Sequence, residues 1–264
     1  MNARNIVLEP RLYHASFLNS FLSEIRKIAY LRSFWIQTAV LVVLYSAIMF
    51  AIGVSQKEYG GGSMLDAQVV TTGVSFLVIF SFALGASAVT NEYSSNTMRT
   101  TALADPSRLR SYSAKHLAVF VMVGAVNLVL TLLAALVYGI SAGGSWDLGN
   151  GNFRALAVFW VILTTAATMA TSIGYILRST AGTITLAMAL VYVSNAVALV
   201  NIDWIRDTLY HYLPLQIIQD ATATELGSSL MGEGLSWGTA TIAWLCYALV
   251  FWVLGLLRFQ RSDI

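Results

Sequence analysis

Six stretches of this chain run for membrane-spanning length without one charged side chain: 34–54, 71–90, 117–140, 155–177, 181–200 and 237–257. A helix needs about 20 apolar residues to cross the hydrocarbon core of a bilayer. Helices buried in soluble proteins seldom go that far without a charge, and here none of the six carries one. Charged residues make up 11% of the chain, against roughly 25% in soluble domains. Inside lipid the backbone must satisfy its own hydrogen bonds, which leaves helices or a closed barrel, and runs this long are helical. The expected fold is all-α and polytopic, a single transmembrane domain over 1–264.

The ends of the chain set its placement. Residues 1–10 are polar and lack an apolar h-region, so no cleavable signal peptide is expected. Over 12–32, Phe17, Leu18, Phe21, Leu22, Ile25, Ile28 and Ala29 recur with a helical period. Ser16, Asn19, Ser20, Ser23, Glu24 and Lys27 fall elsewhere on the wheel, which predicts an amphipathic helix lying in the membrane interface. With the N-terminus in the cytoplasm, twelve Lys and Arg residues fall inside and only Lys57, Arg154 and Arg206 outside. The positive-inside rule then expects both termini in the cytoplasm.

The longest basic polar segment between two apolar runs is 91–115, which holds Arg99, Arg108, Arg110 and Lys115. Within it 95–104 is expected to form a short helix, broken by Asp105-Pro106. Asp105 suits an N-cap and Pro106 a first helical residue, so a second helix is expected to run from Pro106 into the third span. The outer segments 55–70 and 141–154 are short and Gly-rich. The last, 201–236, is long and acidic, with Trp204, Tyr210, Tyr212 and then Pro214. Two short helices broken at Pro214 are expected there, at the outer leaflet.

Several chemistries lack their residues. No Gly-x-x-x-x-Gly-Lys-Ser/Thr segment occurs, so ATP binding through a P-loop of its own is excluded. No His-Glu-x-x-His pair, Cys/His cluster or Gly-x-Ser-x-Gly elbow is present, so neither a metal site nor a hydrolase site is expected. Uncharged spans disfavour an ion-coupled transporter. The polar mid-span residues Gln37, Tyr45, Asn127, Tyr192 and Asn195 read either as packing glue between helices or as a substrate path. Small residues cluster at Ser81, Gly85 and Ser87, and at Ala166, Ala167, Ala170, Thr171 and Gly174. Such spacing allows close helix contacts, within one subunit or between two.

Taken together, the chain resembles the permease subunits of ABC-2-type transporters, over nearly its whole length. An interfacial helix carrying Glu24, Lys27 and Arg32 precedes the first span, as the elbow helix of that family does. Glu92, Asn96, Thr97, Met98, Arg99 and Leu103, then Pro106, Arg108 and Lys115, resemble its Glu-x-x-x-Gly-Thr…Leu…Pro-x-Arg…Lys loop, with Asn96 in place of Gly. Asn is the residue most tolerant of left-handed backbone after Gly, so the turn is expected to survive. The resemblance implies a bacterial cytoplasmic-membrane protein that exports an amphipathic molecule: a drug, an antimicrobial peptide, a lipid or a lipid-linked glycan. It implies no cofactor and no catalytic activity on this chain. ATP and Mg would sit on a separate ATPase subunit docked on 91–115, with 95–104 as its coupling helix. A second permease subunit, identical or not, is implied, and no nucleic acid. Trp204, Tyr212 and Pro214 would belong to an outer gate. A membrane-embedded enzyme and a non-transporting membrane anchor or sensor remain the alternatives in other classes.

Overall fold

The computed structural model describes residues 16–58, 64–98, 100, 103, 107–146, 151–193, 196, 202, 204, 208–225 and 234–261. The described residues are helical almost throughout. In order it forms α1 (Phe17–Tyr30), α2 (Arg32–Glu58), β1 (Met64–Leu65), α3 (Ala67–Thr71), α4 (Val74–Ser94) and α5 (Arg108–Ala142). There follow β2 (Ser145–Trp146), α6 (Asn152–Leu177), α7 (Thr180–Met188), α8 (Pro214–Thr222) and α9 (Trp237–Arg261).

Among the described residues, α2, α4, α5, α6 and α9 are long and apolar enough to span a membrane. The fifth expected run, 181–200, appears as α7 and a π-helical turn at Ala189–Val193. Its positions 194–195 and 197–200 lie outside the described residues. The third span is longer than its apolar stretch. Its N-cap is Ser107, not the expected Asp105, and Asp105 and Pro106 lie outside the described residues. The helix therefore carries Lys115 and His116 in its first turns, before the apolar stretch. The second span also starts late. The chain breaks between α3 and α4 at Thr72 and Gly73, where an added Cβ would lie 2.6 Å from the Tyr45 ring.

Helices α4 and α6 form the centre of the bundle and are the most enclosed of the spans. Their small residues decide how close they come. A Cβ on Gly85 would lie 1.9 Å from Ala167 O, so only glycine permits the contact. Thr171 donates from Oγ1 to Gly85 O at 3.0 Å across the same crossing. On the next turn Gly174 meets Val89 in the same way. Both small-residue stripes are thus used within one subunit. Helices α2 and α9 leave most of their apolar surface uncovered, including Ile36, Val40, Val43 and Phe50 on one and Ile242, Leu249, Val250 and Leu254 on the other. Apolar faces of that extent belong against lipid or a second subunit.

At the end of the bundle opposite the 91–115 segment, contacts stitch the helices together. Strands β1 and β2 pair in parallel, Met64 with Ser145 and Leu65 with Trp146, a small departure from an all-helical chain. Asn152 Oδ1 accepts from Ala67 N at 2.7 Å. Gln68 Oε1 accepts from Thr224 N at 2.9 Å, and Arg154 donates to Ala223 O at 2.7 Å while lying over the Trp237 ring.

Candidate functional site

The C-terminal end of α4 is closed by hydrogen bonds that follow from one left-handed residue. Asn96 has φ +56°, the conformation that its replacement of glycine was expected to tolerate. Asn96 N donates to Tyr93 O at 3.3 Å and Thr97 N to Glu92 O at 3.0 Å, the paired bonds of a Schellman motif. The helix stops there and the chain turns. Met98, Thr100 and Leu103 beyond it are helical, and Arg99 lies outside the described residues.

The two apolar residues of this segment point in opposite ways. A coupling helix over 95–104 would present both to its partner. Leu103 does project, 85% exposed, but Met98 is 4% exposed and packs with Val89, Tyr112, Tyr175 and Phe259. Met98 thus plugs the turn into the bundle and leaves Leu103 outside it.

Beneath the turn lies a cluster of charges. Lys115, at the base of α5, is 1% exposed, with Nζ 2.6 Å from Glu92 Oε1 and 2.6 Å from Glu24 Oε2. Lys27 closes the cluster from the solvent side, 2.6 Å from Glu24 Oε1 and 3.1 Å from Glu92 Oε1. Two carboxylates and two ammonium groups balance, which a buried charge in a low-dielectric setting requires. Lys115 therefore ties Glu92 to α5. Arg108 instead donates from Nη1 to Phe259 O at 2.9 Å and Gln260 O at 2.8 Å. Those carbonyls lie near the C-terminus of α9, where the helix dipole favours a cation.

Glu24 is the residue whose orientation the pattern missed. On the wheel it belongs to the polar side of α1, yet it is buried, while Phe17, Leu18 and Leu22 are exposed. Lys115 holds Glu24 on the bundle side of α1, where Ile28 also packs, and Phe17, Leu18 and Leu22 are left looking outward, as suits a helix in the membrane interface. Arg32, at the start of α2, is exposed. Between the end of α1 and the turn is a cleft of about 440 Å³ lined by Tyr30, Leu31, Asn91, Glu92, Ser95 and Thr100, among others.

A second buried cluster adjoins the first and carries no signature in sequence. Tyr112 Oη lies 2.8 Å from Trp252 O, and its ring packs on His116 and Tyr175. His116 Nδ1 is 2.9 Å from Tyr112 O and Nε2 is 2.9 Å from Ser172 Oγ. A carbonyl only accepts, so Nδ1 carries the proton and, in the neutral ring, Nε2 accepts from Ser172. His116 lies just before the apolar run 117–140. It sits within α5 because the helix begins well before its apolar stretch.

The other candidates are not brought together. Tyr45 donates to Val70 O and Tyr192 to Ser75 O, so both hydroxyls pin α3 and the start of α4. Asn127 is fully buried, and neither atom of its amide has a hydrogen-bond partner among the described residues. Gln37 Oε1 is likewise unpartnered, and Asn195 lies outside the described residues. Trp204 is exposed, and Tyr212 O accepts from Tyr247 Oη at 3.1 Å. Pro214 opens α8 as its first residue, after a 3-10 turn at Tyr210–Tyr212. Asp220 on α8 is buried. It accepts from Leu235 N at 3.0 Å and Gln216 Nε2 at 2.9 Å, and burial raises its pKa.

Compared with known families, residues 18–264 match the family described as ABC-2 family transporter protein. No individual curated protein matches the chain.

Proposed function

The chain belongs to the ABC-2 transporter family, and from that premise we propose that it is the membrane subunit of an exporter driven by an ATPase docked on its 91–115 segment. Membership makes it a multi-pass permease subunit of an ABC transporter, a family that implies association with an ATP-binding subunit. Direction, substrate class and docking element belong to the proposal.

The observation that carries it is the split at the inner turn, where Met98 is sealed into the bundle and Leu103, five residues on, is 85% exposed. An exposed leucine on a polar segment beyond the bilayer is left for a protein partner, and a buried anchor behind it lets a push on the segment reach the spans. Glu92, Asn96, Thr97, Arg108 and Lys115 hold that segment in place. Helix α1, with Glu24, Lys27 and Arg32, acts as the elbow, and 181–200 as a sixth span. Trp204, Tyr212 and Pro214 sit in the outer gate. The uncovered faces of α2 and α9 suit a second permease subunit and lipid. Because the free energy arrives by mechanical contact, the spans need no ionisable group for coupling, and an amphipathic cargo fits their apolar character.

The test is capture of an ABC ATPase subunit by the purified permease, followed by reconstitution. Losing a packed anchor from a docking interface costs about 2 kcal/mol or more, roughly thirtyfold in affinity. Leu103→Asp is expected to lose the ATPase by that factor while inserting normally. Normal capture and full transport by Leu103→Asp would make the segment a tether and sink the docking element.

A further inference from the structure

The charge cluster is an odd thing for this chain to keep. Its apolar runs carry no charge, and a buried ion pair is often no more stable than apolar residues of the same volume. What it supplies is direction. The apolar contacts of α1, through Phe21, Ile25, Ile28 and Leu31 against Ala118, Val119, Leu84 and Ala88, would survive a small slide or rotation. The ion contacts would not, because either motion strips a buried carboxylate of its lysine. The cleft of about 440 Å³ separates the end of α1 from the turn, so the cluster is the firm connection between them at that level. Glu92 belongs to both parts. Its carbonyl accepts the Thr97 N–H that closes the turn, and its carboxylate holds Lys115 and Lys27. A displacement of the turn therefore passes through one residue to Lys115 and on to Glu24.

We propose that Lys115, Glu24 and Glu92 are positioning residues that latch α1 to the inner turn, so that α1 moves with the turn as one body during the ATPase stroke. This rests on the reading of the inner turn as the docking element. Lys27 completes the balance of charge from the solvent side, and its removal leaves the buried core of the latch in place.

Distances between spin labels test it in the reconstituted permease–ATPase complex. In a Cys246→Ala background, labels go on α1 at Leu22, on the turn at Ser94, and at Phe153 at the outer start of α6. The complex is compared without nucleotide and with ATP trapped before hydrolysis. The Leu22–Ser94 distance is expected to stay the same while both labels shift relative to Phe153. A Leu22–Ser94 distance that changes with ATP overturns the latch, as does a Leu22 that never moves relative to Phe153. The second arm is Glu24→Gln/Glu92→Gln/Lys115→Met, which removes the buried charges together and leaves only Lys27, whose 40% exposed side chain water can solvate. Transport per ATP hydrolysed is expected to fall about tenfold, a normal size for coupling between sites, with ATPase capture and basal hydrolysis retained. Unchanged transport per ATP overturns the latch, and if this variant fails to assemble the parent distances decide. A parent chain that captures no ATPase overturns the docking reading and the latch with it. A captured ATPase with a changing Leu22–Ser94 distance overturns the latch alone.

Discussion

Lys115 and Glu92 meet at 2.6 Å with both side chains shut away from solvent, one at the base of α5 and the other in the last turn of α4. Residues 23 positions apart are joined across the polar segment that leaves the bundle between them. The pair fixes where that segment departs and returns.

Removing one side of this contact leaves a buried charge behind. Lys115→Met leaves Glu24 and Glu92 to share the single charge of Lys27, and breaking a buried pair in that way costs about 3–5 kcal/mol. Lys27→Met should cost no more than about 1 kcal/mol, since its side chain is 40% exposed and solvent screens the loss. Thermal unfolding of the detergent-solubilised protein, followed by size-exclusion, measures both. Equal losses for the two variants would show that burial does not set the energetics of the cluster.

The α4–α6 crossing gives a sharper contrast. Gly85→Ala places a methyl 1.9 Å from Ala167 O, a backbone atom that cannot rotate away. Gly238→Ala near the start of α9 meets nothing within 4 Å. The first is expected to abolish a monodisperse fold and the second to leave the melting temperature unchanged. A well-folded Gly85→Ala protein would mean that the two helices sit farther apart than described.

How much of this could be read in the sequence depends on what forces each feature. The bilayer dictates composition, so the apolar runs of α2, α6 and α9 lie where hydropathy puts them. A left-handed turn accepts few residues, so Asn96 was legible as well. Glu24 and Met98 were not, because a helical wheel gives the face of a residue and not the neighbour opposite it. Lys115 on another helix draws Glu24 inward, and the pocket formed by Tyr112, Tyr175 and Phe259 does the same for Met98. The cluster around His116 was hidden for the same reason, since its members come from α5, α6 and α9 and share no spacing.

At the inner turn, Asn96→Gly should be neutral or slightly stabilising, because glycine takes φ +56° without a Cβ clash. Asn96→Val should cost about 1–2 kcal/mol, the cost of a left-handed conformation for a side chain branched at Cβ. Melting of the two variants in detergent checks the order. A Val variant as stable as the parent would mean that the turn takes another path.

Asp220 gives a dependence on pH. Burial raises its pKa in the folded protein, so the folded state holds the proton more tightly than the unfolded one. The stability this contributes is fully present below the unfolded pKa and is lost as pH rises through the raised folded value. Asp220→Asn carries no such proton, so its stability should vary less over that acidic window while keeping the bond from Leu235 N. Melting curves across the window separate the two proteins, and parallel pH profiles would rule out Asp220 as the source.

The orientation of the bundle can be tested with one reagent. The split of twelve basic residues against three expects the end of α2 outside and the inner turn in the cytoplasm. Lys57 and Leu103 are both exposed and lie at opposite ends of the bundle, so each accepts a cysteine without repacking the core. The native Cys246 is exposed on α9 and is first replaced by alanine. In intact cells a membrane-impermeant thiol reagent should label Lys57→Cys and spare Leu103→Cys. After the membrane is permeabilised, both should react. The same result at Leu103 also places the exposed leucine on the side where ATP is available, which the docking proposal requires. Labelling of Leu103→Cys in intact cells would invert the bundle, put the charge cluster on the outside and remove any route by which an ATPase could reach the turn.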